Sequence, residues 1–386
     1  MKTLNQKIKI SVSVFIFLFI NFAFYVKYLS RVTSYYLTIS SILIVIFYVF
    51  LKFRSKINIP KAFHKIILFL MLFLFLTGSG FVFYKIPVES LNVDRWSVIT
   101  SFWDNFFKGE YVYYAKSTMG NPPGPMPFYY ILAFPFYYIG ELGWYSVLGF
   151  IMFYSILIYS KKTFDIRFLF LLLIFTSPFY LWEVTTRSNI FLNGSLVLFS
   201  IVYLFKSLET NHFGKLLFNG VIIGLLLSTR NVFVIPYIIT FLFILKDNRI
   251  KFLETIYIGI VAIIIFALTF LPFIWNHLSD FMTMNPFLIQ SGYLMPTEYS
   301  FFCIILSLGS FWICKEKSDV YFFSGLLLFF TIVLHYLYQM SQYGFIETFF
   351  NSRADISYFI LCIPFFLYFL VDTEYKTNKV KFLLPK

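Results

Sequence analysis

Asp94, Arg95 and Trp96 stand together in the longest polar run of an otherwise apolar chain. The run covers 85–125 and also holds Asp104, Glu110, a tyrosine cluster at Tyr111, Tyr113 and Tyr114, and the sequence GNPPGP from Gly120 to Pro125. A carboxylate beside a cation and an indole at a membrane boundary can act as a general base, because burial and neighbouring charge tune its affinity for protons. Asp94 can also be read as the N-cap of an amphipathic surface helix, DRWSVITSFWDNFF, since Asp at that position accepts from free helix N–H groups. Asp104 and Glu110 read as solvated loop acids, with Asp104 a second carboxylate for an acceptor or a divalent cation. Tyr113 and Tyr114 would stack on a sugar or join an interfacial aromatic belt.

Three arginines fall at the ends of apolar segments on the same predicted side: Arg187, Arg230 and Arg353. Guanidinium keeps its charge when partly buried and presents a fork of donors that matches phosphate oxygens. The competing readings are snorkelling to the interface and pairing with Glu183, Glu347 or Asp355. The NPPGP run predicts a stiff, shaped turn.

The elements that hold these groups are membrane helices. The chain of 386 residues is 60% hydrophobic and 13% charged, far from the roughly 25% charged of soluble domains. Apolar runs long enough to span fall at 10–26, 34–51, 66–84, 143–160, 167–183, 190–205, 253–275, 299–314, 319–338 and 354–371. Segment 214–245 is too long for one helix and carries Arg230 at its middle, where a charge costs at least about 2.5 kcal/mol. Two short helices meeting at Arg230 resolve both problems, and the expectation is an all-α polytopic membrane protein of about twelve transmembrane helices. Segment 126–140 is short, with Pro127 and Pro135, and reads as a surface-lying or re-entrant helix. The organisation expected is three N-terminal helices over 1–84, a large first outer loop with surface-lying helices over 85–142, a nine-helix bundle over 143–371, and a basic tail over 372–386.

The formal charge of +13 reflects orientation rather than nucleic-acid binding. Most Lys and Arg cluster in segments 1–9, 52–65, 161–167, 206–215, 246–254, 315–319 and 372–386, while 276–298 has none. The positive-inside rule then puts both termini in the cytoplasm and the 85–125 loop, Glu183, Arg187, Arg230 and Arg353 on the outer face of a plasma membrane. The three cysteines and four histidines make no metal-binding or disulfide pattern.

In order, VDRW, GEYVYY and GNPPGPMPFYYILAFPFYYIGELG resemble the first outer loop of integral-membrane GT-C-type glycosyltransferases. TSPFYLWEVTTRSN, GVIIGLLLSTRNVFVIP and SRADISYFILCIPFF resemble their later helix ends. The resemblance implies inverting transfer of a sugar from a polyprenyl-phosphate donor to a glycan, lipid or protein acceptor, with Asp94 as general base. Arg95, Asp104, Tyr113, Tyr114 and Glu183 would then bind substrate, and Arg187, Arg230 and Arg353 would hold phosphate. Three helices precede the loop here where the family usually has one. The acidic motif is a lone Asp-Arg rather than a carboxylate pair, which leaves metal dependence open. Three other classes compete: a lipid or glycan transporter (a flippase), which would need mid-membrane ionisable groups and repeats; a surface-glycan polymerase or ligase, which would not need Asp94; and a structural or assembly protein without chemistry, which would tolerate Asp94→Asn, Arg187→Ala and Arg230→Ala.

Overall fold

The computed structural model describes residues 2–53, 60–208, 213–247 and 252–383. Among these, every regular element is helical. The basic segments 52–65, 206–215 and 246–254 lie partly outside the described residues, as does the end of the expected tail.

The chain opens with α1 (Lys2–Leu29), α2 (Tyr36–Phe53) and α3 (His64–Lys85). Between Lys65 and Lys85, α3 carries no charge. At ~1.5 Å per residue its 22 residues match a hydrocarbon core of ~30 Å. Next come α4 (Arg95–Lys108) and α5 (Pro127–Ile139), then α6 (Gly143–Tyr159), α7 (Phe164–Thr176), α8 (Pro178–Thr185) and α9 (Ile190–Ser207). They are followed by α10 (Phe213–Leu227), α11 (Val234–Lys246) and α12 (Phe252–Leu268). Three short helices, α13 (Leu271–Ile274), α14 (Leu278–Thr283) and α15 (Pro286–Leu294), precede α16 (Thr297–Ile313), α17 (Lys317–Phe349) and α18 (Ile363–Leu383).

Among the described residues, six helical stretches are long and apolar enough to cross a membrane: Asn5–Leu29, Lys61–Lys85, Ile190–Ser207, Phe252–Ile274, Lys317–Phe349 and Ile356–Thr373. The pair α7 and α8 makes a seventh if a bent pair counts as one span. The expected straight span at 167–183 is therefore broken: the helices meet at 63°, because Pro178 has no N–H to continue the ladder and restricts Ser177 before it. Five further apolar helices are shorter. The expected 319–338 helix instead runs on to Phe349, with a kink at Gly344, where φ is +79°.

Lys9 bonds Asp319 at 2.6 Å, while at the far ends of the same two helices Lys27 lies over the Phe349 ring. So α1 and α17 run side by side in one direction. Lys162 pairs with Asp372 at 3.0 Å. The glycines of α10 let α12 approach closely: a Cβ at Gly224 would collide with the Ala262 carbonyl, and one at Gly220 would sit 2.7 Å from Val261. This is the small-residue packing that membrane helices use in place of a hydrophobic driving force.

Residues 95–145, with Leu192, Phe273 and Ile289, build a second core beside the main bundle. Ile99, Phe102 and Trp103 on one face of α4 pack with Tyr113, Tyr129, Tyr130 and Tyr145. Phe102 stacks on Tyr130 at 3.7 Å between centroids. Helix α4 stops at Gly109 and α5 at Gly140, both at positive φ, where a residue without Cβ closes the helix with little strain.

Candidate functional site

A cavity of about 1270 Å³ opens between this second core and the bundle. Its wall comes from the C-terminal end of α1, residues 90–95 with the start of α4, the proline-rich run, the α10–α11 break, α15, and the turn from Phe350 to Leu361. Asp94, Arg95, Arg230 and Arg353 all line it.

The proline-rich run is held in place by backbone bonds to that break. Met126 N donates to Thr229 O at 3.1 Å and Phe128 N to Ser228 O at 2.9 Å. Gln290 donates to the Gly124 carbonyl at 2.6 Å, so α15 closes the run from the other side. The α10–α11 break falls at 228–230, with Arg230 extended at φ −150°. The buried arginine is therefore offered by a stretch of non-helical chain next to the loop.

Asp94 occupies the N-cap position of α4 yet makes no capping bond. Its Oδ2 accepts from Ser117 Oγ at 2.8 Å and from Asn121 Nδ2 at 2.7 Å. Oδ1 receives no hydrogen bond from the described residues. The carboxylate is thus clamped by one oxygen with the other left for a visitor.

Arg95 points the other way along the cavity. It bonds the Asp355 carboxylate, and Ser357 Oγ at 2.8 Å, with its guanidinium 5.0 Å from the Tyr358 ring centroid. Burial would raise the Asp355 pKa, but the Arg95 charge, the Ser357 N–H and Lys27 outweigh it and hold the carboxyl below its ordinary value. This pair ties the first loop to the last helical segment.

Arg230 is 9% exposed. No described carboxylate or hydroxyl bonds it, and its buried Nε has no partner. The guanidinium lies 5.3 Å from the Tyr129 ring centroid and 6.0 Å from that of Tyr358. Aromatic faces relieve some of the desolvation, by about 2 kcal/mol at most sites of this kind, but leave its donors unused. Arg353 is exposed, donating to Tyr343 Oη at 3.1 Å.

Five other residues singled out in the sequence do not line the cavity. Arg187 is 1% exposed and spends its donors on Glu141 at 3.2 Å and on the carbonyls of Phe83, Ile86 and Thr185. It is paired, as the competing reading allowed, but with Glu141 rather than with Glu183, Glu347 or Asp355. Glu183 is fully buried and accepts from the Phe191 N–H at 2.8 Å at the start of α9, so it serves that helix end. Asp104 accepts from Tyr137 Oη at 2.7 Å on the outer surface of the second core. Tyr113 is buried inside that core, where burial pushes its hydroxyl pKa well up. Tyr114 bonds Asp280 at 3.2 Å and Thr283 at 2.9 Å.

The cavity also contains groups that sequence reasoning passed over. Lys27 in the last turn of α1 and Arg31 just beyond it line the cavity, where they resemble ordinary flanking charges. Tyr358 completes the Arg95 side beside Asp355, which the sequence offered only as a partner for the other three arginines. Asn121 was hidden in a run read only as a turn, though its amide between Gly120 and Pro122 was the available signal.

No group of three His, Cys, Asp or Glu able to hold a metal lies together among the described residues. Asp94 and Asp104 are engaged by different partners, so the residues do not fit a resident divalent cation and no step below passes through one. No protein-family model, curated protein or solved structure matches the chain.

Proposed function

We propose that this chain is a membrane glycosyltransferase. It moves a sugar, with inversion, from a polyprenyl-phosphate donor to a lipid-linked or surface glycan, or a protein acceptor. The observation that supports this best is the sharing of one cavity by a half-clamped carboxylate, Asp94, and an unpaired buried guanidinium, Arg230.

Inverting transfer needs a base on one face of the sugar and charge stabilisation on the other. The acceptor hydroxyl sits at Asp94 Oδ1 and attacks the anomeric carbon. The bond from that carbon to the phosphate oxygen breaks, and its electron pair stays on the phosphate. The hydroxyl proton passes to Asp94. Arg230 and Arg353 hold the phosphate, and Arg230 does so at low cost because no protein carboxylate must first be displaced. Apolar residues of the same wall, Val232, Ile332 and Leu361, suit the start of a prenyl chain.

In this reading the bent pair and the five shorter apolar helices also cross, giving twelve spans. The cavity faces outward, and both termini are cytoplasmic in a plasma membrane. The end that carries Lys9, Lys162, Asp319 and Asp372 is then the inner one. A test is transfer in reconstituted vesicles with radiolabelled polyprenyl-phosphate sugars, comparing the natural chain with Asp94→Asn. No transfer from any such donor by the natural chain would remove the reading, and full activity in Asp94→Asn would remove Asp94 from the mechanism.

A further inference from the structure

Lys27 is 1% exposed. Among the described residues no carboxylate lies within ion-pair distance of its Nζ and no acceptor takes a hydrogen bond from it. Its ammonium lies 5.7 Å from the Phe349 ring centroid and borders the cavity. A desolvated, unpaired ammonium costs several kcal/mol, and a methionine of similar length would fill the space without that penalty. Arg31, exposed in the turn just beyond the end of that helix, borders the same wall. Among the described residues its guanidinium faces the Tyr28 ring, at 5.2 Å, and makes no hydrogen bond.

The charge balance of the cavity points the same way. Five cationic side chains and two carboxylates line it, an excess of three positive charges. Arg95 and Asp355 form a direct ion pair, and Lys27 acts on that carboxylate only from beyond ion-pair distance. A sugar linked through a phosphodiester brings one negative charge, which Arg230 and Arg353 accommodate. Lys27 and Arg31 are left over, on a different element from Arg230 and over a different ring.

We propose that Lys27 and Arg31 form a second anion subsite, which takes a phosphate group carried by the acceptor. The role in transfer rests on the glycosyltransferase reading; the binding of phosphate does not. An ammonium and a guanidinium fork together suit a phosphate better than a planar carboxylate.

The test uses the full chain purified in neutral detergent and titrated calorimetrically, with Arg230→Met as background so that the donor site is silent. One arm uses inorganic pyrophosphate. The other uses dioleoyl phosphatidic acid in mixed micelles. Binding in both arms means that the phosphate group alone suffices; binding in the lipid arm alone assigns the source to a lipid headgroup. In either case Lys27→Met should weaken binding by about tenfold or more, the loss of one charge-assisted contact. Lys27→Arg should stay within about threefold, because it keeps the charge. Lys27→Met should also melt higher than its parent without ligand, which excludes misfolding as the cause of lost binding. Equal affinity of Lys27→Met and its parent in both arms, or no binding by the parent in either, overturns the subsite. In vesicles, with Arg230 intact, Lys27→Met should raise KM for a phosphorylated acceptor and leave KM for the donor unchanged; a rise confined to the donor overturns the assignment to the acceptor. Absence of transfer by the natural chain would sink the enzymatic reading alone, since the titrations judge the subsite separately.

Discussion

Asn121 reaches back over 27 residues to bond Asp94 at 2.7 Å, on the same oxygen that takes the Ser117 hydroxyl. Both donors belong to the turn that leads into the proline-rich run, so the shape of that turn sets the direction of the carboxylate. A base fixed by one oxygen offers the other at a defined angle, and positioning of this kind contributes to rate through pre-organisation.

Asp94→Asn should therefore lower the transfer rate by about 10²–10⁴-fold, the usual contribution of a general base. Asn121→Ala and Ser117→Ala should each retain the base and lose only its aim. The expected result is a fall of about tenfold in kcat with little change in donor KM, because each removes an oriented hydrogen bond rather than a substrate contact. Steady-state kinetics in vesicles checks the split. Equal loss in all three variants would mean that the loop collapses when any one contact is removed.

Arg230 gives the opposite trade. Its guanidinium is buried, with no hydrogen-bonding partner among the described residues, so Arg230→Met should raise the melting temperature of the purified chain while lowering kcat/KM for the donor by at least about tenfold. Sites that bind charge commonly sacrifice stability in this way. Arg230→Lys should recover part of the activity only, since an ammonium cannot replace the planar fork. A melting temperature that falls in Arg230→Met would show that contacts with Tyr129 and Tyr358 outweigh desolvation.

Arg187 should behave as a structural residue. It joins α8's end to α3 and to the start of α6 through Glu141 and three carbonyls, with its own backbone held at φ +56°. Arg187→Ala should destabilise by ~3–5 kcal/mol, as expected when one side of a buried, hydrogen-bonded ion is removed. The denaturant or thermal midpoint should move; donor KM of the folded fraction should not. A change in donor KM with an unmoved midpoint would return Arg187 to the list of phosphate ligands.

The sequence exposed depth more readily than direction. The break at Arg230 was legible because an arginine inside a long apolar run has few stable placements, and the helix ends at Gly109 and Gly140 follow from glycine's access to positive φ. Apolar periodicity does not tell which way a polar side chain turns around the bundle. Arg187 and Arg230 look alike in sequence, each at the end of an apolar segment, yet one is consumed by Glu141 and the other faces the cavity. The Arg95–Asp355 bond joins residues 260 positions apart, a pairing that no local pattern encodes. Tyr113 and Tyr114 are neighbours, but successive residues of one turn point apart, one into the core and one to Asp280.

The Arg95–Asp355 pair sets an acid limit. Asp355 is held below the ordinary carboxylate value in the folded chain. Its contribution to stability is therefore present above the unfolded pKa of about 3.9 and is lost as pH falls through the depressed folded value. Asp355→Asn should flatten the acid limb of a melting-temperature profile below about pH 5 and leave the profile's shape near neutrality unchanged. An acid limb that persists in the variant would assign acid unfolding to other carboxylates.

Sidedness can be read chemically because Cys303, Cys314 and Cys362 are all buried, so the natural chain should label weakly with a membrane-impermeant maleimide. Met119 is 47% exposed beside Asn121 at the mouth of the cavity, and Lys315 is exposed next to Asp319 at the opposite end. In intact cells Met119→Cys should label and Lys315→Cys should not; in inverted vesicles the pattern should reverse. Labelling of both positions from the same face would mean that the two ends of α1 and α17 do not lie across a bilayer. A reversed pattern would put Asp94 on the cytoplasmic side, where soluble nucleotide-linked sugars rather than polyprenyl-phosphate sugars would be the donors to assay.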